Sequence, residues 1–241
     1  MSYDIFIKTS SKRNVRRIIE VFKTHTILWK GWDPVEQEQK SEIRYLNIFG
    51  QVEGHMILPS QHKTTKYEQV IPYLIDLEQD PTCRGILVVL NTTGGDVEAG
   101  LAISEMLASM GKPIVSLVLG GGHSIGVPLA VSADCSFIAP SATMAVHPIR
   151  MSGVVIGVTQ TFEYFDKMQE RVVSFVCRNS KIEEPVFRSL LLETGEIAND
   201  VGTVLFGLDA VKVGLIDKTG GINDALAELK KRINERDKND C

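Results

Sequence analysis

The sequence predicts an α/β fold built on a largely parallel sheet, on three observations. From Arg44 onward, apolar runs of strand length alternate with helical patterns, which is how strand-helix-strand units are written. The unit strand, glycines, helix occurs twice: GILVVLNTTGG runs into a helical pattern from Val97, and PIVSLVLGGG runs into another from Ser124. Finally, 241 residues at 44% hydrophobic and 23% charged make a soluble globular chain long enough to bury a sizeable core.

The elements follow in order. Residues 1–42 are polar, first basic (Lys8, Lys12, Arg13, Arg16, Arg17) and then acidic (Asp33 to Glu42), and hold both tryptophans, Trp29 and Trp32; they read as an appendage to one α/β domain over 43–241. RYLNIFG is the first strand. Residues 54–66, GHMILPSQHKTTK, read as a loop whose His55 and His62, without a cysteine, make a poor metal site. An amphipathic helix spans 67–79, a strand 85–90 and a helix Val97 to Met110. A strand at 113–119 leads through Gly120 to Gly122 into a helix over 124–133, where Pro128 sits in the first turn and its missing N–H costs little. Phe137 to Ala139 and Thr143 to His147 are short strands. The long helix 159–178 carries Phe162, Phe165, Met168, Val172 and Phe175 on one stripe, suited to a core or a subunit interface. Glu183 to Thr194 is helical, Ala210 to Ile216 closes the core, and Asn223 to Arg236 forms a charged helix.

Composition excludes several classes of function. A net charge of −4 gives no general attraction to nucleic acid or anionic lipid. Cys83, Cys135, Cys177 and Cys241 are too scattered for a zinc site or a disulfide framework, and fit a reducing compartment. No apolar run reaches transmembrane length and no cleavable leader is spelled, so the expected location is cytoplasmic.

The chemistry concentrates at GGGHSIG, residues 120–126. A phosphate loop would need a lysine after its glycines, and a dinucleotide fingerprint is not spelled. Gly122-His-Ser-Ile-Gly126 does spell G-x-S-x-G in the strand-turn-helix setting that a nucleophile elbow requires. The α/β-hydrolase order fails, because that fold needs an acid and then a histidine well after its serine, and the last histidine, His147, follows Ser124 by only 23 residues. A serine nucleophile needs a general base and oxyanion donors, and His147 is the natural base. Taken alone, Ser124 serves equally as a helix N-cap and His147 as a satisfied core histidine.

NTTGGDVEAGLAISEMLASMGKPIVSLVLGGGHSIG, FIAPSATMAVHPI and DAVKVGLID, in that order, resemble the three landmark segments of the Clp-type serine peptidases, the proteolytic subunits of Clp protease. The likeness covers roughly residues 44–217. It implies a crotonase-like spiral of ββα units with a protruding helix for oligomerisation. It further implies a serine-type endopeptidase working through an acyl-enzyme, with Ser124 as nucleophile and His147 as base, and with Gly94, Gly95 and Ile125 around the oxyanion. The implied partners are a peptide or protein substrate, a ring-shaped homo-oligomer, and an ATPase or protein-export partner; no cofactor and no metal are implied.

The sequence also departs from the family pattern. His123 and Ile125 flank the serine where the family has small residues and methionine, and Pro148-Ile149 follow the histidine where it has Gln-Pro. Counting back from VGLID, the family's aspartate position falls on Gly202. Asp200 is the nearest carboxylate, with Asn199 or Glu196 as other orienting groups. This gap keeps a second reading open, a catalytically weak or inactive scaffold that binds peptides, and a third, a crotonase-like acyl-CoA enzyme that needs no serine-histidine pair.

Overall fold

The computed structural model of the chain describes residues 41–150, 156–195 and 201–239. Eight strands are present among them: β1 (Ile43–Glu53), β2 (Thr64–Lys66), β3 (Gly85–Gly95), β4 (Ile114–Gly122), β5 (Cys135–Ile138), β6 (Thr143–Val146), β7 (Thr203–Phe206) and β8 (Lys218–Thr219). Between and after them run seven helices: α1 (Tyr67–Gln79), α2 (Val97–Ser109), α3 (Gly126–Val131), α4 (Val158–Asn179), α5 (Glu184–Leu192), α6 (Gly207–Lys212) and α7 (Ile222–Asn239). The main sheet has the order β2-β1-β3-β4-β5-β8, and all of these neighbours are parallel. β6 leaves that path: it meets the end of β4 at Gly121 and pairs antiparallel with β7.

Parallel strands joined by helical crossovers are covered on both faces, which is why β3 and β4 are nearly continuous apolar runs. Alternation along each strand sorts the side chains. Ile86, Val88 and Leu90 of β3 face the large core shared with α1, α2 and the buried half of α4, whereas Leu87 joins Val115, Leu117 and Phe137 on the opposite face. α7 seals that opposite face with Ala225, Leu229 and Ile233, all buried. It comes so close that a Cβ on Gly85 would stand 2.8 Å from Ile233 and 3.0 Å from Leu229.

The structure lengthens or shifts several expected elements. β3 and β4 continue through their glycines to Gly95 and Gly122, because β1 pairs with Gly94 and Gly95 and β3 pairs with Gly122 through Thr92. Residues 54–66 are not all loop: Thr64–Lys66 form β2 beside β1, anchored by the Gln51 N–H donating to the Lys63 carbonyl. His55 is paired within this segment, its Nδ1 3.1 Å from the Tyr67 hydroxyl.

The helix expected from Ser124 begins two residues later, at Gly126, with Ile125 in the cap position, so Ser124 is not the helix N-cap. The long helix divides: Met168, Val172 and Phe175 are buried, while Phe162 on the same stripe is 73% exposed. Its first turns therefore leave the body of the domain. The expected appendage, residues 1–42, lies outside the described residues save for Ser41 and Glu42.

Candidate active site

The site forms where the ends of β3 and β4 meet β6. Thr92, 1% exposed, ties the strand ends together: its hydroxyl donates to the Gly50 carbonyl at 2.6 Å and accepts the Gly94 N–H at 3.0 Å, while its carbonyl accepts the His123 N–H. Gly94 thereby spends its own N–H, and it contributes room instead. At φ +88° it occupies a conformation that L side chains avoid, and a Cβ there would stand 2.6 Å from the Ser124 Cβ. Asp96 then caps α2, accepting the Ala99 N–H at 2.8 Å.

Ser124 has φ +57°, and it is the non-glycine residue with positive φ among those described. Such a conformation costs on the order of 1 kcal/mol or more and has to be held by its surroundings. The hold is visible: the Ser124 N–H donates to the Ala145 carbonyl at 2.9 Å, its carbonyl accepts the Val127 N–H, and the Gly126 N–H donates to the His123 carbonyl. With the N–H groups of Ser124 and Gly126 spent, Ile125 is the candidate donor of that turn. Its side chain is locked against α2, because a Cβ on Gly100 would collide with it.

His147 follows β6 directly. Its Nδ1 lies 2.8 Å from the Pro148 carbonyl. A carbonyl only accepts, so Nδ1 carries a proton, and in the neutral ring the lone pair is then on Nε2, the tautomer a general base requires. The following residue is fixed from α4, where Gln169 Oε1 accepts the Ile149 N–H at 2.9 Å.

Behind His147 stands Gly202. The β6–β7 register pairs Val146 with Thr203, and a Cβ on Gly202 would meet the Val146 carbonyl and stand 2.7 Å from the His147 Cβ. The position reached by counting back from VGLID is thus beside the histidine, and its φ of +133° and the lack of space leave no room for a side chain. Asp200, like Asn199 and Glu196, lies outside the described residues. Asp134 does not reach the site, since its carboxylate accepts the Ile114 N–H at 2.8 Å.

Ser124, His147, Gly95 and Ile125 line one cleft of about 150 Å³, closed by Val172 of α4 and by Phe187 and Leu191 of α5. That is side-chain size, below the ~300 Å³ at which small-molecule pockets usually begin. A larger hollow of about 390 Å³ between α2 and α4 is lined by charges that neutralise one another, Arg171 with Glu98 and Arg178 with Glu105.

His123 completes the frame. Its Nδ1 accepts the Ala145 N–H at 2.9 Å, and its ring rests on Gly121, where a Cβ would lie 2.6 Å from Nε2. Burial, and next the nearby His147, push its pKa below the ordinary histidine value. The G-x-S-x-G spelling and spacing flagged Ser124 and His147, but nothing in the sequence flagged Thr92, the Ala145 backbone or the Pro148 carbonyl. No cluster of three or more metal-ligating side chains occurs among the described residues, and no helix there is long and apolar enough to cross a membrane.

The chain is 56% identical to the translocation-enhancing protein TepA of Halalkalibacterium halodurans over 206 residues, covering 86% of this chain and 80% of that one. It is 29% identical to the ATP-dependent Clp protease proteolytic subunit 1 of Protochlamydia amoebophila over 62% of this chain and 72% of the relative. To the proteolytic subunit of Leuconostoc citreum it is 35% identical over 38% of this chain and 46% of the relative. The family model described as Clp protease matches residues 39–222, which take in β1 to β8, the glycine-lined strand ends and both cleft side chains; the chain belongs to the Clp protease family.

Proposed function

We propose that the chain is a serine endopeptidase that cleaves peptide bonds through an acyl-enzyme on Ser124. The observation that carries this reading is the facing of one strained serine and one Nδ1-protonated histidine into a single cleft bordered by Gly95 and Ile125. In the reaction, Ser124 Oγ bonds to the scissile carbonyl carbon while its proton passes to His147 Nε2. The negative charge developing on the carbonyl oxygen meets the N–H groups of Gly95 and Ile125, which are fixed before the substrate arrives. As the C–N bond breaks, the proton moves from His147 to the departing amine. Water, deprotonated by the same nitrogen, then releases the acid and restores the serine.

Pro148 supplies what an aspartate supplies elsewhere, in weaker form. Its carbonyl fixes the tautomer, but as a dipole it stabilises the imidazolium less than a carboxylate does. Turnover is accordingly expected to be slow. Asp200 is proposed as the acid completing the site when substrate is bound.

In the same reading, residues 1–42 form an appendage to the domain. The exposed first turns of α4 join copies of the chain into a ring in the cytoplasm, where an ATPase or a protein-export partner delivers the peptide; the name of the TepA relative supports the latter. A second reading is favoured by Gly202: with no side chain beside His147, the chain would act as a peptide-binding scaffold. Labelling the purified protein with a fluorophosphonate separates the two. The peptidase reading expects labelling and peptide cleavage that Ser124→Ala abolishes; no labelling of wild type under any condition gives the scaffold.

A further inference from the structure

Ser124 and His147 sit on different elements, and a single residue between them, Ala145, is gripped at both of its backbone groups. Its carbonyl accepts the Ser124 N–H at 2.9 Å, and its N–H donates to His123 Nδ1 at 2.9 Å. Ala145 lies two residues before His147 on β6, a strand of only four residues that touches β4 at one register position, Gly121 with Thr143. The His123 ring lies on that same Gly121. The junction between the nucleophile turn and the base strand therefore rests on a side chain that can exchange its role with a proton.

We propose that His123 is a positioning residue, which in its neutral form clamps Ala145 and so holds the strand of His147 against the turn of Ser124, and which releases that clamp on protonation.

The chemistry is forced by the ring. Nδ1 can accept the Ala145 N–H only while it is unprotonated; with a proton on it, two donors face each other and the bond becomes a repulsion. Among the described residues the titratable group that bears on the ring is His147, whose positive charge would further resist a second charge at His123. Burial works in the same direction, so the clamp is closed at neutral pH and opens in acid, below the ordinary histidine range. During turnover His147 becomes transiently positive, and the same proximity keeps His123 neutral at that moment. Displacements of ~1 Å between reacting groups cost up to about a hundredfold in rate. Although β7 pairs with the whole of β6 on one side, β4 meets it at a single register position on the side of the Ser124 turn, which makes the clamp consequential there.

The inference is tested on the full chain by two measurements, on wild type, His123→Ala and His123→Asn. Asn places Oδ1 where Nδ1 stood and cannot titrate. Hydrogen-deuterium exchange of residues 143–147, corrected for intrinsic rates, is expected to show Ala145 protected at neutral pH and released in acid. In H123A the release should be present at every pH, by about tenfold or more, and in H123N absent in acid. The rate of fluorophosphonate labelling should fall about tenfold or more in H123A, recover in H123N, and lose part of its acid limb there. Wild-type protection of Ala145 in H123A, or an unchanged acid release in H123N, overturns the inference. The exchange arm judges the clamp whether or not the serine is reactive, whereas a wild type that exchanges as expected and never labels overturns only the peptidase reading on which the rate arm rests.

Discussion

Gly202 stands directly behind His147, with an added Cβ 2.7 Å from the His147 Cβ. Placing an acid there by Gly202→Asp would force a side chain into φ +133°, against the Val146 carbonyl and the His147 Cβ. Strain of this kind costs ~1–3 kcal/mol, so the expected result is a Tm lower by about 2–12 °C and no gain in fluorophosphonate labelling. A thermal melt and a labelling time course check both. Part of this was legible beforehand: counting back from VGLID reached the residue that stands beside His147, and G-x-S-x-G named the serine. The partner actually holding the imidazole was not legible, because it is the Pro148 carbonyl and every residue has one. Likewise, the clamp at Ala145 is made of backbone groups that carry no side-chain signal.

At the level of elements, α4 behaves as two helices in one. Its second half is core, so Phe175→Ala should destabilise the domain by about 3–5 kcal/mol in urea titration. Its first half is amphipathic with nothing among the described residues to cover Phe162, so Phe162→Glu should change unfolding free energy by less than ~0.5 kcal/mol. The same substitution should break the assembly, seen by sedimentation velocity; an unchanged oligomer would dismiss the proposed role of those turns. The periodicity displayed the stripe but not its division, because a 3.6-residue repeat reports that a face is apolar and not what it meets. β2 was illegible for a related reason: three residues hold too little pattern, and Thr64–Lys66 become a strand only because the edge of β1 is open beside them. The glycines ending β3 and β4 read as turns on propensity, which pairing with a neighbouring strand overrode.

Across the whole molecule, the parallel sheet and its alternation were the most readable features, since burial on both faces writes itself as continuous apolar runs. The closure of the sheet's far edge was less so, being polar. Asp217 accepts the N–H and hydroxyl of Ser136 on β5 and pairs with Lys181 after α4, and so ties three distant segments. Burial alone would raise its pKa, but the Lys181 and Ser136 hydrogen bonds outweigh it and hold the carboxyl below its ordinary value. A depressed folded value means that this contribution is intact above the unfolded pKa of about 3.9 and drains away as pH falls below it. Tm measured against pH should therefore drop in that acid range, and Asp217→Asn should be less stable at neutral pH with a shallower acid decline.

The seal formed by α7 over β3, β4 and β5 has a consequence for synthesis. Ala225, Leu229 and Ile233 follow every described strand in chain order, so a nascent chain leaving the ribosome carries an uncovered greasy wall until α7 emerges. Emergence of α7, rather than completion of the sheet, sets the moment at which this face can be buried.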